Sequence, residues 1–252
     1  MEVCMRVMRF IVRIAMISVC LLSVLPVSAQ TAAEILDKVD DNEIYESIIH
    51  EGEMIIEYQG RTFVKTFKVW GRENKDSFIE FTNPEDRGTK YLKKDGRLYV
   101  YSPDTEQVML ISGHMLKESM MGSDMSYEDT IENERLSRRY TATFLEDEKV
   151  DGRDCWVLDL AAIKPTESYQ KRRLWVAKDN FDMVRAEFYA LSGAKLKEYT
   201  LIRSELIQGQ SFPMESEMRD LLRKNSKTTF RVINLELNAP VSDRIFSTRN
   251  LR

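Results

Sequence analysis

The sequence predicts a mainly β fold with some helix (α+β), built on an antiparallel sheet of about eleven strands. Apolar and polar residues alternate with a period of two from residue 50 to residue 111, and again from residue 142 to residue 237, as in strands with one face in a core. Turn signals such as Asp95-Gly96 and Asp151-Gly152 separate the alternating stretches. Because no segment rich in glycine or proline divides residues 30–252, we expect a single domain there.

Residues 1–29 have the layout of a secretory signal peptide. Three arginines precede an apolar stretch from residue 14 to residue 25, and the tripeptide Val27-Ser28-Ala29 is typical of a signal-peptidase site. The apolar stretch is shorter than the ~18 residues that a transmembrane helix needs. We therefore expect cleavage after Ala29 and a mature chain that is soluble in the periplasm.

Helix signals occur at two places. Thr31 and Glu34 have the spacing of a capping box, in which each side chain binds the other's backbone N–H, so a helix is expected to begin there. From residue 112 to residue 140 the alternation stops, methionines are frequent, and Ser126 has the surroundings of a second helix start. We expect two short helices in this middle segment, which interrupts the series of strands.

The composition argues against nucleic-acid binding, metal binding and the common enzyme classes. The chain has a net charge of −4 and no basic cluster, so it would repel phosphate backbones. His50 and His114 have no metal-ligand spacing, and no G-x-S-x-G, P-loop or G-x-G-x-x-G motif occurs. We expect no catalytic residue, no metal and no cofactor, and we expect Cys155 to be a buried structural thiol. A hydrolase site made of paired carboxylates, or of Cys155 and His114, stays open.

Several strands carry apolar residues on both faces, as Phe67 and Val69 do against Trp70. An antiparallel sheet with one wet face should alternate cleanly, so each face of these strands needs a cover. Three short helices could cover the concave side and leave an apolar cavity beneath them, although ordinary core packing would also explain each residue singly. Methionines in the cover would suit a variable ligand, because their unbranched chains repack easily. The residues expected to line this cavity are Met54, Ile56, Phe67, Trp70 and Phe78 from the sheet, and Met115, Met120, Met121 and Tyr127 from the middle segment.

Three short motifs occur in an order that resembles the LolA/LolB-like superfamily. They are Gly-Thr-Lys-Tyr-Leu at 88–92, Leu-Tyr-Val-Tyr-Ser-Pro at 98–103, and Met-Gly-Ser-Asp-Met-Ser-Tyr-Glu-Asp at 121–129. In that family the third motif reads Gly-Ser-Asp-aromatic-x-x-x-Asp, and here Met125 stands at the aromatic position. With the order of helix, meander, two helices and meander, the sequence is most similar to the outer membrane lipoprotein-sorting proteins of this superfamily.

The resemblance implies a half-open β-barrel whose concave face is covered by helices and holds acyl chains. In the founding carrier these belong to lipoproteins, which pass from an inner-membrane release complex to an outer-membrane receptor. The resemblance implies that members of the lipoprotein-sorting group often act beside large RND-type membrane transporters. It leaves open whether the cargo is a lipoprotein or a free lipid. No arginine of this chain could be matched to the founding carrier's arginine that locks the helices.

Two functions follow as expectations. The first is a periplasmic carrier or binding protein for lipid or lipoprotein acyl chains, in outer-membrane lipoprotein sorting or lipid transport. The alternative is a periplasmic sensor or accessory subunit of an RND-type transporter, which binds a protein partner without carrying lipid. The expected partners are acyl chains, an inner-membrane transporter or release complex, and an outer-membrane acceptor, but no nucleic acid.

Overall fold

The computed structural model describes residues 30–252 except residues 74 and 133, so the predicted signal peptide at 1–29 lies outside the described residues. Within this range, three α-helices are present: α1 (Ala32–Asp41), α2 (Tyr127–Ile131) and α3 (Leu136–Arg139). Short 3-10 helices occupy Gly113–Lys117 and Met120–Gly122 in the middle of the chain, and Asp243–Phe246 and Thr248–Leu251 at its end. In the same range, no helix has both the length and the hydropathy needed to cross a membrane.

All thirteen strands of the described region form one antiparallel sheet. The strands are β1 (Ser47–Tyr58), β2 (Arg61–Arg72), β3 (Asp76–Phe81), β4 (Lys90–Lys94), β5 (Arg97–Ser102), β6 (Gln107–Ile111), β7 (Tyr140–Val150), β8 (Arg153–Ala162), β9 (Lys171–Ala177), β10 (Met183–Tyr189), β11 (Lys195–Ile207), β12 (Gln210–Asp220) and β13 (Ser226–Leu237). The expected count of about eleven was too low, because every alternating stretch of the sequence forms a strand of its own.

The strand order explains why a segment of the chain must cover the sheet. The order is β6-β5-β4-β3-β2-β1-β13-β12-β11-β10-β9-β8-β7, so the chain starts in the middle, runs to one edge, and resumes at the other edge before returning to the middle. Residues 112–139, which we call the crossover, connect the two edge strands β6 and β7. The crossover is the middle segment in which the sequence predicted two helices.

The contacts of Glu132, in the crossover, show that the sheet curls. The Lys93 Nζ on β4 donates to the Glu132 carbonyl oxygen at 3.4 Å, and the Arg172 guanidinium on β9 donates to the Glu132 carboxylate at 2.6 Å. Strands β4 and β9 are eight neighbours apart in the sheet, which is about 38 Å on a flat surface at ~4.8 Å per strand. Two side chains cannot span that distance, so the sheet bends around the crossover, which lies on its concave face.

Gly52 helps β1, in the centre of the sheet, to bend. The pairing register of β1 with β13 shifts between Glu51 and Gly52, which is a β-bulge, and bulges increase the local twist and bend of a strand. A Cβ at Gly52 would lie 2.8 Å from the Arg231 carbonyl oxygen and 3.0 Å from the ring of Phe67. Only glycine therefore lets Phe67 lie over the bulge.

The strands that are apolar on both faces have two different covers, and the short 3-10 helices of the second cover were not expected from the sequence. On the concave face, Phe67 and Tyr91 pack with residues of the crossover, while α1 packs against β7–β10. On the convex face, Trp70, Phe78, Leu92 and Tyr99 pack instead against the C-terminal segment, residues 240–252, through Phe246 and Leu251. The sequence predicted helices over the concave side and named no cover for the other face, which the C-terminal segment supplies.

The rest of the convex face is partly apolar and partly charged. Cys155 is free and fully buried there, in a cluster with Val157 and Trp175, as the sequence predicted for this thiol. In the middle of the sheet Arg231 forms ion pairs with Glu53 of β1 and Glu215 of β12. The convex face of the central strands therefore carries charged groups at this place.

The cover formed by the C-terminal segment gives a testable prediction. Replacing the fully buried Phe246 with alanine should lower the free energy of unfolding by about 3–5 kcal/mol, because it removes a large side chain from a closed cluster. The exposed Leu222→Ala variant is the control and should change it by less than about 0.5 kcal/mol. Urea unfolding measures both. A loss below 1 kcal/mol for Phe246→Ala would show that the C-terminal segment is not part of the core.

Candidate functional site

A cavity of about 610 Å³ lies between the concave face of the sheet, α1 and the crossover. A second space of about 310 Å³ adjoins it under the crossover. The two share the wall residues Tyr45, Met125, Asp129, Glu132 and Phe230. Ligand pockets in proteins have volumes of ~300–1,000 Å³, so the structure encloses enough space for a ligand.

The floor of the larger cavity comes from the C-terminal half of the sheet, and the strand register explains which residues form it. Tyr199 of β11 pairs with Met218 of β12, and Ser216 of β12 pairs with Phe230 of β13. Because side chains alternate along a strand, residues separated by two positions share the concave face. Met183 and Phe188 from β10 continue the same surface. The floor is therefore mainly apolar and aromatic.

Asp124 fixes the first part of the crossover to the sheet. Its carboxylate accepts hydrogen bonds from Thr228 Oγ1 at 2.6 Å, from Ser226 Oγ at 2.9 Å and from the Asp220 backbone N–H at 3.0 Å. Asp124 and Thr228 are both buried. Arg223, next to them, donates to the carbonyl oxygens of Gly122 and Ser123. The Gly-Ser-Asp motif of the sequence is thus the anchor of the crossover.

Asp129 fixes helix α2. It forms a capping box with Ser126, accepts a hydrogen bond from Tyr169 Oη at 2.8 Å, and pairs with Lys197 Nζ of β11 at 2.6 Å. Burial alone would raise the pKa of Asp129, but Lys197 and the hydrogen bonds outweigh burial and lower the pKa below its ordinary value. Asp129 is therefore ionised and holds α2 over the sheet.

Glu132 and Arg172 fix the end of α2. The Arg172 guanidinium is buried, lies 4.8 Å from the ring of Tyr140 and 5.1 Å from that of Phe188, and pairs with Glu132. Arg139 of α3 forms a second ion pair with Glu132. An arginine enclosed by aromatic rings gains cation–π energy in addition to its ion pair. The crossover is thus held by charged groups at Asp124, Asp129 and Glu132.

The structure brings most of the predicted cavity residues together. Those that share one cluster on the concave face are Met54, Ile56, Phe67, Met115, Met120, Met121 and Tyr127. Among them Met54, Phe67 and Met120 line the smaller space. Whether any of them contacts a ligand stays a prediction.

Trp70 and Phe78 lie on the other face, and their assignment to the cavity is corrected. Trp70 pairs with Phe78 across β2 and β3, whereas Phe67 pairs with Phe81. Phe67 and Trp70 are three positions apart in one regular strand, so their side chains point to opposite faces. Phe78 and Phe81 are also three positions apart in one strand, so their side chains point to opposite faces as well. Trp70 and Phe78 therefore pack under the C-terminal segment.

Sequence reasoning missed the floor residues of β10–β13 and the buried charges that fix the crossover. The floor could have been found from strand parity once β1 was known to pair with β13, but that pairing joins the first and last strands of the chain in the middle of the sheet and has no local signal. The charges had a partial signal. Asp124 and Asp129 are both fixed positions of the Gly-Ser-Asp motif, whereas Arg172 and Lys197 have none.

The Asp124 anchor gives the prediction for this site. Replacing Asp124 with asparagine removes a charged acceptor whose hydrogen bonds stabilise by about 1.5–3 kcal/mol each. Amide hydrogen exchange in residues 113–131 should then accelerate roughly 10- to 100-fold, because 1.4 kcal/mol corresponds to about a tenfold change. Exchange in β8–β10 should stay unchanged. Asp104→Asn, in an exposed turn, is the control. Equal acceleration throughout the sheet would mean that Asp124 supports the whole fold and not the crossover.

A family model described as "Uncharacterized protein" matches residues 73–252, and no curated protein matches the sequence. A DUF1329 family protein from Desulfovibrio piger has 29% sequence identity and a TM-score of 0.80, over 88% of this chain and 98% of that chain. A LolA superfamily protein from Nitrosomonas europaea has 26% identity and a TM-score of 0.72, over 88% and 100%.

A third structure, an outer membrane lipoprotein-sorting protein domain from Vibrio parahaemolyticus, has 22% identity and a TM-score of 0.78, over 87% of this chain and 97% of that chain. At this identity it shows the shared fold. The family model covers well over half of the present chain, and the three neighbours share its curled antiparallel sheet. The chain therefore belongs to this uncharacterized family and to the LolA/LolB-like superfamily.

Proposed function

We propose that the protein is a periplasmic carrier for the acyl chains of lipids or lipoproteins. The observation that carries the proposal is the cavity between the crossover and the concave face, with its apolar floor formed by Met183, Phe188, Met218 and Phe230. Two structural neighbours, an outer membrane lipoprotein-sorting protein domain and a LolA superfamily protein, support the same class of ligand. The predicted signal peptide at residues 1–29 supports a location in the periplasm.

The energetics of burial indicate how such a carrier works. Each CH₂ group that leaves water gains ~0.8 kcal/mol, so a sixteen-carbon chain gains on the order of 10 kcal/mol before other costs. A cargo bound that firmly leaves only when its cavity opens. The crossover is the element that closes the concave face, and it is held by ion pairs of Asp129 with Lys197 and of Glu132 with Arg172. Release of the cargo therefore requires these ion pairs to separate. Movement of the flexible methionine side chains in the crossover does not by itself open the cavity.

The membrane partners follow from the proposed role. A carrier receives its cargo at the inner membrane, from a release complex or an RND-type transporter, and delivers it to an outer-membrane acceptor. The proposal includes no catalytic step. Binding of a transporter without any uptake of lipid would favour the sensor or accessory subunit instead.

A substitution that fills the cavity tests the proposal. Ser216 lies on the floor, so Ser216→Trp places a large side chain where the acyl chain is expected to lie. Its affinity for dodecanol should fall at least tenfold below that of the unaltered protein. The matched control is Thr229→Trp, because Thr229 is next to Phe230 on the same sheet but faces the other side. It should bind as the unaltered protein does.

Ligand titration and native mass spectrometry measure these affinities, and circular dichroism checks that both variants fold. Two outcomes contradict the proposal. The unaltered protein could take up no acyl ligand, or Ser216→Trp could bind dodecanol as tightly as Thr229→Trp does.

A further inference from the structure

The mouth of the cavity is acidic. Glu43, Glu46, Glu73 and Glu134 line the cavity and are exposed, and they come from the loop between α1 and β1, the turn after β2, and the crossover. Glu73 pairs with Lys75 at 2.9 Å. Within the described part of the chain, the carboxylates of the other three take part in no hydrogen bond or ion pair. Negative charge therefore collects at the entrance to an apolar space.

The basic residues of the cavity do not neutralise this charge. Arg135 pairs with Asp41 at 2.8 Å and lies close to Asp37 and Asp40. Arg172 pairs with Glu132 on the inner side. Both arginines thus have acidic partners of their own, and the carboxylates at the mouth keep their excess negative charge.

Glu43 is the carboxylate with the most unusual surroundings. Its side chain is exposed to the cavity, beside Asp40 and Glu132. Its pKa is raised to about 7, chiefly by desolvation and further through the negative charges of Asp40 and Glu132. Arg172 and Lys93 act in the opposite direction with smaller effect. A cation bound at this place would be attracted by all three carboxylates.

An organic cation suits this place better than a metal ion or an anion. In the described residues no group of three or more histidine, cysteine, aspartate or glutamate side chains could hold a metal ion. An anionic head group would face Glu43, Glu46 and Glu134, and like charges at close range repel. An ammonium group offers donors to a carboxylate, while its alkyl tail can enter the apolar floor.

We propose that the cavity selects amphiphiles with a positively charged head group, which Glu43 binds at the mouth while the tail lies on the floor. The inference rests on the carrier function proposed above and adds the chemical class of the cargo. A fatty acid is then a poor ligand, and an amine-bearing lipid of the same length is a good one.

Three ligands with the same twelve-carbon tail test the head group separately from the tail. Dodecylammonium, dodecanol and dodecanoate are titrated at pH 8 by displacement of a neutral apolar dye. Dodecylammonium should bind about tenfold or more tightly than dodecanoate, with dodecanol between them. Glu43→Gln should weaken dodecylammonium about tenfold, which corresponds to about 1.4 kcal/mol, and leave dodecanol unchanged. Glu106→Gln, an exposed glutamate in the turn after β5, is the control and should change nothing.

The pH dependence should follow the ionisation of Glu43. Because its carboxyl gains a proton as the pH falls through about 7, the affinity for dodecylammonium should decrease from pH 8 to pH 6, and the Glu43→Gln variant should show a flat profile. The groups that face Glu43 are Asp40 on α1, Glu132 on the crossover, Lys93 on β4 and Arg172 on β9. Glu134→Gln, at the exposed rim of the cavity, is a second variant. Its affinity for dodecylammonium should fall by less than that of Glu43→Gln.

The outcomes separate the two proposals. If none of the three ligands binds, the carrier function fails together with the head-group inference. If dodecanol and dodecanoate bind as tightly as dodecylammonium, the carrier function stands and the head-group inference is overturned. The comparison of the three ligands uses the unaltered protein, so it decides the matter even if Glu43→Gln does not fold.

Discussion

The contact of Glu132 with both Lys93 and Arg172 is the constraint on which the rest of the structure depends. It joins strands eight places apart in one sheet, and it therefore requires the sheet to curl and the crossover to lie inside the curve. Buried ion pairs of this kind contribute little net stability, because desolvation offsets much of their attraction. Their effect here is to specify one arrangement, with a closed crossover above an apolar floor.

The strand order makes that arrangement necessary. In the described part of the chain the series of strands begins and ends in the middle of an open sheet, so it must cross once from edge to edge, and residues 112–139 make this crossing. This single crossing supplies one wall of the cavity, and its polar anchors, Asp124 and Asp129, keep it there. The C-terminal segment performs a different task, since it seals the convex face over Trp70 and Phe78. One sheet can thus have a solid convex side and an open concave side.

Local patterns predicted the local structure well, and long-range pairing set the limit. Alternation located the strands, although their number was underestimated, and the capping box at Thr31 begins α1 as expected. The Gly-Ser-Asp motif indicated the superfamily, which the comparisons confirmed. Strand parity could have excluded Trp70, because Phe67 and Trp70 cannot share a face. The pairing of β1 with β13 and the partners of Arg172 depend on residues far apart in sequence, so no local pattern contains them.

The central claim is that the space between crossover and sheet holds an alkyl tail in the cell. Native mass spectrometry of the mature protein, purified from its own periplasm without detergent, tests this most directly. The account predicts a fraction of the protein carrying an added mass of lipid size, which dissociates as an amphiphile on collisional activation. Protein that is uniformly free of such a mass, and that stays so after incubation with membranes from its own cell, would contradict the account.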